Sequence, residues 1–96
     1  MKKAKYGLRK TSTFKRDYKR MIKRGRDMRL IDTVIDLLAL GEDLPEKYCD
    51  HALAGDWKGH RECHIQPDWL LVYIRCNDVL ILELSRTGSH SDIFNE

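Results

Sequence analysis

The chain has 96 residues, enough for one domain over 1–96 with a modest core. It is 42% hydrophobic and 34% charged, a balance that excludes a disordered chain, and no run of about 18 apolar residues exists to span a membrane. The net charge of +3 hides an asymmetry: residues 1–29 carry 13 Lys and Arg against 2 acids, Asp17 and Asp27, while residues 30–96 carry 5 against 13.

A surplus of +11 in the first third points to a polyanion contact at one place, with a solvated helix face as the plain alternative. Met1 to Lys10 is basic but has neither an apolar core region nor a small-residue cleavage site, so no signal peptide is expected and the protein is expected in the cytoplasm. Tyr6–Arg9 reads as a short first strand. Thr11, Ser12 and Thr13 offer capping hydroxyls for a helix over roughly 13–24. Phe14, Tyr18, Met21 and Ile22 give that helix one apolar face, expected in the core. Lys15, Arg16, Lys19, Arg20 and Lys23, with Arg24, lie off the stripe and are the candidate RNA-phosphate contacts.

Gly25 ends the first helix. Asp27 is placed to cap a second, running through Leu40 with Gly41 just past its end. Leu30, Ile31, Val34, Ile35, Leu37 and Leu38 predict a broad buried face, and the two helices a short hairpin. Residues 42–56 read as a loop. The period then changes to two. Strands are expected at Trp57–Ile65, Trp69–Cys76 and Val79–Arg86, joined by turns at Gln66-Pro67-Asp68 and Asn77-Asp78. The last two are apolar at nearly every position, which predicts cover on both faces. The tail from Thr87 is short and polar apart from Ile93 and Phe94. The order β-α-α-β-β-β predicts a compact single α+β domain, with the helical hairpin packed on an antiparallel sheet.

The chemistry-bearing residues fall after residue 48: His51, His60, His64, Asp68, Arg86 and His90, with Trp69 and Phe94 beside them. Cys49, Cys63 and Cys76 are an odd count, and small buried hydrophobes are the plain reading. Cys49, His51, His60, Cys63 and His64 look rich in zinc ligands. Strand alternation, however, puts His60 and His64 on one face and Cys63 on the other, so no metal and no cofactor are expected. A Cys–His nucleophile is disfavoured because Cys63 and His64 diverge and no oxyanion loop accompanies Cys49 and His51.

RNA cleavage needs no metal. A base takes the 2′-hydroxyl proton, an acid protonates the leaving 5′-oxygen, and a cation stabilises the phosphorane. His64, Asp68 and His90 can supply acid and base, Arg86 the cation, and Trp69 and Phe94 stacking surfaces for splayed bases. Each also has a structural alternative: Asp68 closing a turn, Arg86 pairing with Glu83 or a tail acid, Trp69 and Phe94 packing.

From Tyr48 onward, the set Asp50-His51, Leu53-Ala-Gly55, Trp57-Lys58-Gly59, Arg61-Glu62-Cys63-His64, Pro67-Asp68-Trp69 and Arg86-Thr87-Gly88-Ser89-His90, with Phe94 near the end, resembles the YafQ toxins of the RelE/ParE superfamily. The helical half matches in length, charge and pattern more than in identity. The resemblance implies the RelE/ParE α+β fold and endonucleolytic cleavage of mRNA at the ribosomal A site. It implies ribosomal RNA as partner of the basic helix, and a cognate DinJ-like antitoxin through which alone operator DNA would be met. It carries over His51, His64, Asp68, Arg86 and His90 as catalytic positions, and Trp69 and Phe94 as RNA contacts. His60 stands where an aromatic is familiar, and Cys49 and Cys63 have no matching role. The rivals are a ParE-like gyrase inhibitor, a non-catalytic nucleic-acid-binding module and a degenerate toxin. Arg86, His64 and His90 are expected to meet in one surface concavity, and the antitoxin to lay an acidic or extended segment across the basic helices.

Overall fold

The computed structural model describes residues 3–95; Met1, Lys2 and Glu96, which include the start of the N-terminal stretch read above, lie outside it. Strand β1 (Gly7–Lys10) leads into helices α1 (Ser12–Lys23) and α2 (Met28–Ala39). Then come β2 (His51–Ala52), β3 (Arg61–Gln66), β4 (Trp69–Cys76), β5 (Ile81–Gly88) and a short helix α3 (His90–Phe94). Single 3-10 turns at Glu46–Tyr48 and Gly55–Trp57 flank β2. The sheet runs β1-β5-β4-β3-β2. The β3–β4 and β4–β5 ladders are antiparallel as expected; β2, within the stretch read as a loop, adds a two-residue antiparallel strand on β3, and β1 a parallel edge against β5, so the sheet is mixed.

The helix boundaries follow the capping chemistry. Thr11 Oγ1 accepts from the Phe14 amide at 2.9 Å and donates to the Ser85 carbonyl at 2.9 Å, so one hydroxyl starts α1 and fastens it to β5. Gly25, at φ +79°, provides the left-handed residue that turns the chain between the helices. Asp27 then caps α2 through the Arg29 amide.

The core lies between the helical hairpin and one face of the sheet. Phe14, Met21, Ile31, Val34, Ile35 and Leu38 meet Cys63, Trp69, Leu71, Tyr73, Leu82 and Leu84. Period-two alternation sends Leu70 and Val72 to the other face, where Ile93, Leu53, Trp57 and Phe94 cover them. Both faces of β4 are covered, as its continuous apolar run predicts. Ile22 and Leu30 are not core: they are 53% and 38% exposed, because each lies beyond the arc that its helix turns to the sheet.

Three local expectations are corrected. Trp57–His60 is not strand: Gly55 and Gly59, at φ +65° and +94°, turn the chain there, and β3 begins at Arg61. The Asn77-Asp78 turn extends through Val79 and Leu80, so β5 begins at Ile81 and continues to Gly88. The tail is helical, started by a capping box between Ser89 and Asp92.

Candidate active site

The pairing register assembles the polar face. His51 lies opposite Glu62, Glu62 opposite Val72, and Val72 opposite Arg86, one row across four strands. In the next row His64 lies opposite Leu70 and Leu70 opposite Gly88. Directly paired residues share a face, so His51, Glu62, His64 and Arg86 all emerge on the side away from the helical hairpin. Arg86 reaches that side through a bulge. The register shifts between Val72/Arg86 and Tyr73/Leu84, leaving Ser85 as the extra residue. Strict alternation from Leu82 and Leu84 would have aimed Arg86 into the core; the bulge turns it over.

Three imidazoles stand edge to face in sequence. The ring centroids of His51 and His64 are 6.3 Å apart, and those of His64 and His90 are 5.8 Å apart. A single buried carboxylate addresses the first two: Glu62 Oε1 is 3.1 Å from His64 Nε2 and 3.9 Å from His51 Nε2. His51 Nδ1 is held 2.7 Å from the Cys49 carbonyl. Asp50 beside it accepts from the Tyr73 hydroxyl and from Arg61, which fixes the strand that bears His51.

His90 opens α3 and is bound to the turn between β3 and β4. Asp68 Oδ1 lies 2.8 Å from His90 Nδ1 and accepts from the His90 amide at 3.1 Å. The hydrogen bond from the His90 ring, then that from its amide, holds the Asp68 carboxyl below the usual carboxylate range. At neutral pH Asp68 is therefore an acceptor only, which assigns the proton to Nδ1 of His90.

Arg86 donates from Nε to Asp17 Oδ2 at 2.7 Å, and from one terminal nitrogen to Asp17 Oδ1 and the Asp92 carbonyl, both at 3.3 Å. The expected alternative partner, Glu83, pairs with Arg9 instead. Asp92 binds Arg24 in a fork at 2.6 and 3.0 Å, which holds its carboxyl well below the usual range. Phe94 is half-buried, with its ring edge-on to Trp57 at 6.2 Å, at the rim of the same face.

Trp69 is not placed to stack on a base. Its exposure is 0%, its indole N–H donates to Thr87 Oγ1 at 2.9 Å, and Arg26 covers its ring. Alternation puts residue 69 on the core face, whatever its neighbour Asp68 does. Lys15, Arg16, Lys19 and Lys23 are exposed on α1. Arg20 is 44% exposed and shared, through long contacts of 3.8 and 3.6 Å, with Asp17 and Asp92.

Glu62 and Asp17 did not emerge from the sequence, although both had a signal. Glu62 precedes His64 by two residues and so shares its face. Asp17 is an acid on the apolar arc of a basic helix, three residues after Phe14 and four before Met21. Cys63 faces the core, opposite to its neighbour His64 as strand alternation predicts, and burial pushes its thiol well up, while His60 lies outside β3. A different set converges, however. Glu62, His64 and His90 bring ligand atoms within 4.8 Å of one another, two imidazoles and a carboxylate fit for one transition-metal ion.

Comparisons with known proteins show the family and the fold. The chain is 40% identical over 82 residues to the mRNA interferase toxin YafQ of Escherichia coli, covering 84% of this chain and 87% of that protein. The fold superposes on the toxin in the crystal structure of the E. coli DinJ-YafQ toxin-antitoxin complex with a TM-score of 0.86 at 34% identity, over 94% of this chain and 98% of that one. A metal-bound toxin from Helicobacter pylori superposes with a TM-score of 0.87 at 40% identity, over 93% and 99%. Residues 6–95 match the family of bacterial toxins of type II toxin-antitoxin systems called YafQ, and the chain belongs to that family.

Proposed function

We propose that this toxin is an mRNA interferase, an endoribonuclease that cuts mRNA at the ribosomal A site by acid–base attack of a 2′-hydroxyl on the adjacent phosphate. The observation that carries this reading is the file of three imidazoles, His51, His64 and His90, on the one sheet face to which the β5 bulge also turns Arg86. His90 Nε2, oriented by Asp68 through Nδ1, trades a proton with the reacting oxygens. His64, against Glu62, takes the complementary transfer, and His51 extends the relay or holds the substrate. Arg86 meets the charge that builds on the phosphorane. Phe94 offers a half-buried edge to a splayed base. Lys15, Arg16, Lys19 and Lys23, with part of Arg20, present positive charge to ribosomal RNA. A DinJ-like antitoxin is the cognate partner, covering this surface and alone contacting operator DNA. A gyrase inhibitor or a plain binding module would have no use for the ordered histidines.

The cluster of Glu62, His64 and His90 favours a second reading of the same site, in line with the metal-bound relative from H. pylori. A zinc or copper ion there would take up the imidazole lone pairs that proton transfer requires. Metal is then a competitor of cleavage and not its cofactor.

One experiment tests both readings. A ribosome-bound message with a single 2′-deoxynucleotide at the cut codon should resist the toxin, while the all-ribose message should be cleaved to a 2′,3′-cyclic phosphate end in magnesium buffer containing a zinc- and copper-selective chelator that leaves magnesium, and so the ribosome, intact. Micromolar zinc in excess of the chelator should suppress that cleavage, and further chelator should restore it. Cutting of the deoxy message would contradict the 2′-hydroxyl mechanism; loss of activity with the selective chelator would contradict the competitor role of metal.

A further inference from the structure

We propose that Asp17 is a positioning residue of the reaction, the carboxylate that fixes the Arg86 guanidinium in the orientation in which its outer edge meets the phosphate. The proposal rests on the role given to Arg86 above. Asp17 is 1% exposed, whereas every Lys and Arg of α1 is exposed. An acid serving only to moderate the charge of the helix would face water. The oxygens of Asp17 are instead committed to β5: Oδ2 accepts from Arg86 Nε at 2.7 Å and from the Thr87 amide at 3.2 Å, and Oδ1 accepts from Arg86 at 3.3 Å. Backbone and side chain of the strand end are thus registered by one carboxylate.

The donor inventory of Arg86 shows what this arrangement achieves. A guanidinium has five N–H donors in a fixed plane. Nε–H and one Nη2 hydrogen go to Asp17, and the second Nη2 hydrogen is within reach of the Asp92 carbonyl. The Nη1 pair has no partner among the described residues, and the plane that contains it is held from behind. Because the bulge at Ser85 takes Arg86 out of strand alternation, nothing in the sheet itself fixes the side chain; Asp17 does so from α1. The carboxylate also offsets part of the positive charge of Arg86, so its contribution is orientation more than attraction. The maximal rate should therefore suffer from its loss, and substrate affinity should not.

The test is a double-mutant cycle on ribosome-dependent mRNA cleavage, with rate and KM measured separately for wild type, Asp17→Asn, Arg86→Lys and the pair. Asp17→Asn should lower the maximal rate about 10- to 100-fold with KM within about threefold. It should cost almost nothing further in the Arg86→Lys background, because lysine has no fork to orient. Losses that multiply, or a rate within about twofold of wild type while Arg86→Ala is inactive, would overturn the role of Asp17 alone. Wild-type cleavage by Arg86→Ala would remove both this proposal and the assignment of Arg86. A measurement on the wild-type protein avoids any folding defect of the variant. The Arg86 Nε–H should exchange with solvent far more slowly than that of exposed Arg16, and an equal rate would overturn the proposal.

Discussion

His90 depends on Asp68 for both its tautomer and its place. The same carboxylate oxygen receives the ring and the backbone amide of His90, so replacement by Asn should misorient the imidazole as well as change its proton inventory. Positioned general acids and bases contribute about 10²- to 10⁴-fold to rate. Asp68 is 63% exposed, and water screens its charge, which places the expected loss for Asp68→Asn at the lower end, about 10²-fold, with KM little changed. Steady-state cleavage of a defined message decides it, and a loss under about threefold would leave Asp68 a turn residue only. At this scale the sequence was informative where side-chain chemistry is rare. Histidines, Asp68 and Arg86 could be named because few structural roles require them. It misassigned Trp69, whose large aromatic ring suits a base stack and a core equally, and only the register of β4 decides between them.

The elements that place these residues were legible in proportion to their regularity. Helices α1 and α2 and strand β4 have a strong period and ordinary caps, and they appear where the pattern puts them. The bulge at Ser85 has no compositional mark, and without it the face of Arg86 is read incorrectly. Helix α3 did carry a mark, the capping pair Ser89 and Asp92, but five residues are too few for a period. Its stability is local. Ser89→Ala should cost about 1 kcal/mol, lowering the melting temperature by about 4–8 °C in a domain of this size and cleavage along with it, because His90 begins the helix. Asp92 adds a pH dependence. The Arg24 guanidinium depresses its folded pKa, so the stabilisation is fully present above the unfolded carboxylate value of about 4 and is lost as pH falls through the lower, folded value. Thermal melts from pH 7 down to pH 3 should therefore fall more steeply for wild type than for Asp92→Asn. Parallel curves would show that the Arg24 contact contributes nothing.

Over the whole molecule, α1 is the common frame. Its buried face supplies Asp17 to Arg86, its last turn and C-cap supply Arg20 and Arg24 to Asp92, and its outer face carries the exposed cations. The charge asymmetry visible in the sequence is therefore divided between internal latches and external surface, a division that requires tertiary structure to see. Replacing Lys15, Arg16, Lys19 and Lys23 by Ala should weaken ribosome binding at low salt and reduce the salt dependence of log affinity by a slope of roughly 3. The maximal cleavage rate should change little, because none of the four touches the imidazole file. An unchanged slope would place the RNA contact elsewhere.

Primer extension on a defined message, with ribosomes present and absent, for wild type and His90→Ala, tests most directly whether this toxin cuts mRNA on the ribosome with His90 as an acid–base group. New 5′ ends inside codons that need ribosomes and vanish with His90→Ala are the predicted result; no new ends with either protein, or cuts that persist in the variant, would contradict it.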